Sequence, residues 1–211
     1  MKLVVLSDIH LNSFFSKKEK FLKFLGNLSA DILVINGDLY DLYVGPPKED
    51  IIQEIKKNSN IKSIVYINGN HDFYIKDHFP SYNVQEVFRI NDLVITHGHQ
   101  YDSLSSEIPS EKGFSKTICV VRNFIEKTFH FNVRILFKKL TFGLIDKKLV
   151  KSHDRAIEEN PGKKVILGHT HLPMNNHPYY NCGCMCDEFF SHMVVDIDEG
   201  GESKITLINE T

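Results

Sequence analysis

Residues 3–10 read Leu3-Val4-Val5-Leu6-Ser7-Asp8-Ile9-His10, an unbroken apolar run ending in a carboxylate and an imidazole two positions apart. Such a run, without polar alternation, fits a strand covered on both faces. The same pattern recurs along the chain. Apolar runs at 32–35, 64–67, 93–95 and 165–167 lead into Gly37-Asp38-Leu39-Tyr40-Asp41, Gly69-Asn70-His71-Asp72, His97-Gly98-His99 and Gly168-His169-Thr170-His171. Between the first two runs, residues 17–28 place Phe21, Leu22, Phe24, Leu25 and Leu28 at helical spacing, which makes one helix face apolar. Strands separated by helices argue an α/β fold.

Working outward, Pro46-Pro47 followed by Glu49 and Asp50 reads as the start of a second helix, where acids suit the N-terminal dipole. Residues 87–95 read as a hairpin turning at Asn91-Asp92. Residues 191–197 and 204–208 read as strands around Glu199-Gly200-Gly201. The stretch 110–160 differs, being helical in pattern, dense in apolar residues such as Phe114, Ile118, Val121, Phe124, Phe129 and Phe137, and basic through Lys112, Lys116, Arg122, Lys127 and Arg134. It is expected to form a helical cap inserted into a single domain spanning 1–211.

Composition narrows the function classes. The 211 residues, 42% hydrophobic and 25% charged, suffice for one domain with a substantial core. A formal net charge of −2 gives no whole-protein attraction to nucleic acid or anionic membrane. No apolar run approaches the roughly 20 residues that cross a bilayer. The apolar start is interrupted at Ser7-Asp8 and no small-residue cleavage site follows, so a cytoplasmic protein is expected. Cys182, Cys184 and Cys186 alternate without the C-x-x-C spacing of zinc sites and are expected to be reduced thiols on a buried strand.

The polar clusters carry the chemistry. In open α/β sheets, ligands bind beyond the carboxyl ends of strands, where all of these clusters stand. Residues i and i+2 of an extended backbone project to one side, so Asp8 can converge with His10, and His169 with His171. Nitrogen and oxygen donors without thiolate suit manganese, iron, zinc or related divalent ions. Several carboxylates and imidazoles buried together need cations to compensate them.

The order D-x-H, G-D-x-x-D, G-N-H-D, H-G-H and G-H-x-H, running from Asp8 to His171, resembles that of the calcineurin-like metallophosphoesterases. The resemblance implies a four-layer αββα sandwich of two mixed sheets. It implies that Asp38 bridges two metals, one completed by Asp8, His10 and His171 and the other by Asn70, His97 and His169. Manganese is the first expectation, with iron, zinc or nickel as alternatives. His71 takes the place of the family's catalytic histidine and Asp41 that of the carboxylate orienting it. Asn70, His71 and His99 are the residues expected to reach the substrate phosphate, with support of the metal-binding side chains an equal expectation for His99. The implied reaction is metal-dependent hydrolysis of a phosphate ester or anhydride without a covalent phosphoenzyme.

Within that family the chain is similar to the UDP-2,3-diacylglucosamine hydrolases. The likeness rests on Ser7-Asp8-Ile9-His10-Leu11, Gly69-Asn70-His71-Asp72-Phe73, Gly168-His169-Thr170-His171-Leu172-Pro173, Tyr180-Asn181-Cys182-Gly183 and the helical insertion. It implies a lipid-nucleotide substrate whose acyl chains shelter under the cap, and peripheral contact with a membrane. Packing of the cap's apolar side onto the body or a second subunit is the alternative. Two departures, His71 where those enzymes usually carry Arg and His99 where they usually carry Asp, point towards general phosphatases and phosphodiesterases. A nuclease of the SbcD type shares the motifs but usually carries further DNA-binding regions, which are not expected in so short a chain; the basic insertion is the segment that would contact nucleic-acid phosphates in that reading. A non-catalytic scaffold like the retromer subunit typically loses ligand residues, and every block here is intact.

Overall fold

The computed structural model describes residues 1–48, 50–72, 74–102, 114–130, 132–133, 136, 144–186 and 189–210. Its first strand, β1 (Lys2–Leu6), buries four consecutive residues, and parity divides them. Leu3 and Val5 join one apolar cluster and Val4 and Leu6 another, as alternate residues of a doubly covered strand must.

Strand β1 lies between antiparallel β10 (Ser191–Ile197) and parallel β2 (Ala30–Asn36), the latter followed by parallel β3 (Ile61–Ile67) and β4 (Val84–Gln85). Strand β11 (Ser203–Asn209) closes the far edge of this sheet. A second sheet runs in the order β5 (Val87–Ile90), β6 (Leu93–Thr96), β7 (Lys164–Leu167), β9 (Tyr179–Asn181) and β8 (Met174–Asn176). In it β6, β7 and β9 are mutually parallel. Both sheets are therefore mixed.

Three apolar clusters define four layers. Leu3, Val5, Val34, Ile67, Ile95 and Ile166 fill the space between the sheets. Outside the first sheet, Val4, Leu6, Leu33 and Ile35 meet α1 (Lys18–Asn27) through Phe21 and Leu25, α2 (Ile51–Lys56) through Ile51, Ile52 and Ile55, and the short α3 (Ile75–His78) through Ile75. Outside the second, Val94, Val165 and Leu167 meet Ala156 of α5 (Leu144–Glu158) and Tyr101 of a 3₁₀ turn. Phe21 is fully buried, and truncating such a side chain to alanine costs about 3–5 kcal/mol. The αββα sandwich is thus as expected.

The hairpin turns at Asn91-Asp92, with Asn91 left-handed at φ 51°, and the final strands turn through Gly201 at φ +85°. Two expectations need correction. The second helix begins at Ile51 rather than at Pro46-Pro47, because the Asp50 carboxylate accepts the Gln53 N–H at 3.0 Å and sets the N-terminus there. Glu49 lies outside the described residues. The cysteines do not form a strand: β9 ends at Asn181, and Gly183 turns the chain at φ +72°, where a Cβ would meet Ser191 Oγ. Cys182, Cys184 and Cys186 are buried in the following loop and are not joined in disulfides. Of the segment expected as a cap, residues 110–113, 131, 134–135 and 137–143 lie outside the described residues. Helix α4 (Phe114–Phe129) buries Glu126 on one side, while Val120, Val121, Phe124 and Phe129 stand exposed.

Candidate metal centre

The carboxyl ends of β1, β2 and β3 from one sheet, and of β6, β7 and β9 from the other, open onto one place. Backbone bonds lace the loops there: the Ile9 and His10 N–H groups donate to Asp38 O at 2.9 and 3.0 Å, and Gly168 N–H to His97 O at 3.0 Å. Asn36 joins the two sheets directly. Its side-chain amide donates to Thr96 O at 3.0 Å, and its carbonyl accepts from His97 Nδ1 at 2.7 Å.

Asp8, Asp38, His97 and His169 each have one atom engaged and another turned inward. Asp8 Oδ2 accepts the His169 N–H at 2.9 Å and the Ser7 hydroxyl, leaving Oδ1 3.1 Å from His171 Nε2 and 3.8 Å from His10 Nε2. Asp38 Oδ1 accepts the His71 N–H at 2.8 Å, so Oδ2 faces both His10 Nε2 at 3.7 Å and His97 Nε2 at 3.4 Å. His97 donates through Nδ1 to Asn36, which turns its Nε2 toward Asp38 and toward Asn70 Oδ1, 3.3 Å away. His10 Nε2 and His171 Nε2 are 3.2 Å apart. His169 Nε2 contacts Asp102 Oδ2 at 3.1 Å, so Nδ1 is the nitrogen left for a cation. Ligand atoms of Asp8, Asp38 and His97 all lie within 4.8 Å of one another, as do those of His10, Asp41 and His71.

The backbone that achieves this is not extended. Asp8, His10, Asp38, His169 and His171 all have positive φ, between 49° and 63°. The pairs separated by two residues therefore converge through left-handed turns, a conformation costing non-glycine residues of order 1 kcal/mol each. Glycines clear the space: a Cβ on Gly69 would stand 2.1 Å from Asp38 Oδ1, and one on Gly37 2.4 Å from His97 Nδ1.

The charges are mutually dependent. Burial pushes the carboxyls of Asp8 and Asp38 up, but neighbouring imidazoles outweigh it and hold both well below the usual range. Burial likewise pushes His97 down, yet Asp38 and Asp8 raise it to about 9. His10, buried beside His71, falls to about 4. Asp41 Oδ1 approaches His71 Nδ1 at 3.1 Å; burial opposes charge on His71, but Asp41 and Asp38 prevail and raise it above its ordinary value. Asp72 holds the loops, accepting the Gly69 N–H at 2.7 Å and the Leu39 N–H at 2.9 Å.

The expected donors Asp8, His10, Asp38, Asn70, His97 and His171 thus meet in one cluster, with His71 and Asp41 at its edge. The His169 ring sits 5.4 Å from that of His97. His99 lies beside these two, its ring 5.5 Å from His97 and 6.4 Å from His169. Sequence reasoning missed Ser7, Asn36 and Asp102, which engage the outward atoms of the donors, and Cys186, whose Sγ is 3.8 Å from His171 Nδ1. It also missed Arg122 and Glu126 of α4, which line a pocket of about 30 Å³ with His10, His71, His171 and Cys186. Their i, i+4 spacing on an amphipathic helix was a readable signal.

Buried carboxylates and inward-facing nitrogen and oxygen atoms fit divalent cations by donor chemistry. Fold and donor cluster together define a two-sheet α/β protein with side chains grouped to hold metal ions. The chain belongs to the calcineurin-like phosphoesterase family, which it matches over residues 1–197. It is similar to the UDP-2,3-diacylglucosamine hydrolase of Coxiella burnetii, 25% identical over 194 residues that cover 80% of this chain and 79% of that protein. Among solved structures, a Vps29 single mutant from Entamoeba histolytica aligns with a TM-score of 0.46 and 14% identity, covering 100% of both chains. Chaetomium thermophilum Vps29 aligns at 0.45 with 10% identity, covering 99% of this chain and 95% of that one. Among the described residues, no helix is long and apolar enough to cross a membrane.

Proposed function

We propose that this protein is a hydrolase of phosphate esters or anhydrides working with two divalent cations, manganese first. Asp8, His10, Asp38 and His171 hold one, and Asp38, Asn70, His97 and His169 the other. The observation that carries this reading is the placement of Asp38 Oδ2 between His10 Nε2 and His97 Nε2, the position a bridging carboxylate requires. Cations held there supply Lewis acidity, polarising the phosphoryl group and activating water.

The chain's own residues do the rest. Asn70 and His71 orient the phosphoryl group at the mouth of the cluster. His71, kept protonated by Asp41 and Asp38, gives its proton to the leaving oxygen. Asp41, fully buried, fixes the ring by its contact with Nδ1, so that Nε2 carries the transferable proton. His99 supports His97 and His169 from one side.

The substrate in this reading is a lipid-linked nucleotide, and the protein works in the cytoplasm at a membrane surface. Two observations support it: the similarity to a UDP-2,3-diacylglucosamine hydrolase, and the exposed Val120, Val121, Phe124 and Phe129 on α4, apolar area suited to acyl chains. Helix α4, which reaches the site through Arg122, then acts as the cap. The test is hydrolysis by the Mn²⁺-loaded protein of an acylated UDP-sugar, its unacylated counterpart, simple phosphomonoesters and diesters, and DNA. Preference for the acylated compound supports the proposal. Equal turnover of unacylated substrates removes the lipid, degradation of DNA replaces it with a nuclease, and metal binding without any hydrolysis leaves a scaffold.

A further inference from the structure

We propose that Arg122, delivered by helix α4, is an anion-binding residue of the site that grips the phosphoryl group on the side facing away from the cation ligands. The inference rests on the phosphoesterase reading above and assigns a role to a residue outside the motif blocks.

Four observations carry it. Arg122 lines the same small pocket as His10, His71 and His171, so its guanidinium borders the space into which the reacting group must come. Its Nη2 meets Asp41 Oδ2 at 3.3 Å, while Asp41 Oδ1 meets His71, so guanidinium and imidazole flank one buried carboxylate. Glu126, one turn along and buried, holds the guanidinium from behind, with Nε 3.8 Å from Oε2. Glu126 also accepts the Val133 N–H at 3.1 Å, and Asn123 Oδ1 accepts the Phe14 N–H at 3.3 Å, so the helix is fastened across the loop that follows the first strand. A planar guanidinium matches phosphoryl oxygens in a way an ammonium does not. With Asp41 and Glu126 offsetting its charge, the guanidinium contributes directed N–H donors, which favour a phosphoryl group with more unesterified oxygens, as in a monoester or a terminal phosphate, over a diester.

Inorganic phosphate is the probe. Isothermal titration of the Mn²⁺-loaded wild type, Arg122→Met and Arg122→Lys measures its affinity, with metal content and melting temperature followed alongside. Arg122→Met is expected to weaken phosphate binding on the order of 10- to 100-fold, the range for one charge-assisted hydrogen bond, with metal content retained. Arg122→Lys, which keeps charge and helix attachment but lacks the fork, should lose less. The monoester-to-diester ratio in kcat/KM should fall in the same order. Unchanged phosphate affinity in both variants, with only kcat reduced on poor leaving groups, overturns the inference and makes Arg122 a positioning residue for Asp41 and His71, leaving the phosphoesterase reading intact. A wild type that takes up manganese but neither binds phosphate nor hydrolyses any ester overturns both.

Discussion

Gly69→Ala tests whether the bridging position of Asp38 matters. The added Cβ would stand 2.1 Å from Asp38 Oδ1, 2.4 Å from its backbone N and 2.9 Å from its Cγ. Because backbone as well as side chain is struck, no rotamer change clears the clash, and Asp38 must retreat by roughly 1 Å to reach ordinary contact. That movement breaks the fit of Oδ2 between His10 Nε2 and His97 Nε2, now 3.7 and 3.4 Å away. Overpacking of this kind costs about 1–3 kcal/mol of stability, and a displacement near 1 Å costs on the order of 100-fold in rate. Gly26→Ala is the control: nothing lies within 4 Å of its Cβ, and it sits within α1, where alanine gains up to about 1 kcal/mol. The assay is Mn²⁺ titration calorimetry, thermal melting and turnover on one ester for both variants. Manganese affinity and turnover within twofold of wild type in Gly69→Ala would refute the reasoning that Asp38 must stay where it is.

Three further outcomes follow from the charges. Since Asp41 and Asp38 raise His71 above its ordinary value and the protonated ring is the proposed acid, kcat should decline as pH climbs through that raised value. Asp41→Asn should move this alkaline limb to lower pH and His71→Asn should abolish it; an identical limb in all three proteins would remove His71 as the acid. His97, raised to about 9, is protonated at pH 7 and must be neutral to bind a metal, so metal uptake should release about one proton. Calorimetry in buffers of differing ionisation heat measures this, and a value near zero contradicts the ligand role. His192 packs beside Phe24 and is depressed to about 4 by burial and then by Lys2. Its folded form resists a proton that the unfolded chain accepts below about pH 6.5, so it destabilises the fold as pH falls from 6.5 to 4, by about 3 kcal/mol at the lower end. Relative to wild type, His192→Gln should therefore gain stability between pH 7 and 4 in urea titrations; parallel curves for the two proteins would exclude the effect.

The layered fold was legible because β1, β2, β6 and β7, and the last residues of β3, are covered on both faces and so read as continuous apolar runs. Their polar ends could be located for the same reason. The backbone at those ends was not legible. Asp8, His10, Asp38, His169 and His171 turn left-handed, a conformation that L-residues rarely adopt without surrounding contacts to impose it, and those contacts come from other loops. The spacing of Arg122 and Glu126 along α4 could be read, but the pairing of Arg122 with Asp41, like that of His169 with Asp102, was hidden because long-range pairings leave no local periodicity. The start of α2 went wrong for an opposite reason. Pro46-Pro47 is a strong local signal, but the Asp50 side chain closes a better N-terminus four residues later.

Asn36 spans the seam of the sandwich, giving its amide to one sheet's neighbour while its carbonyl fixes the tautomer of His97. Because each half of the donor cluster rides on a different sheet, separating the sheets dismantles the cluster before either is unravelled. Cation affinity therefore reports on the union of the halves: amides of β2 and β6 should gain hydrogen-exchange protection together as manganese is added.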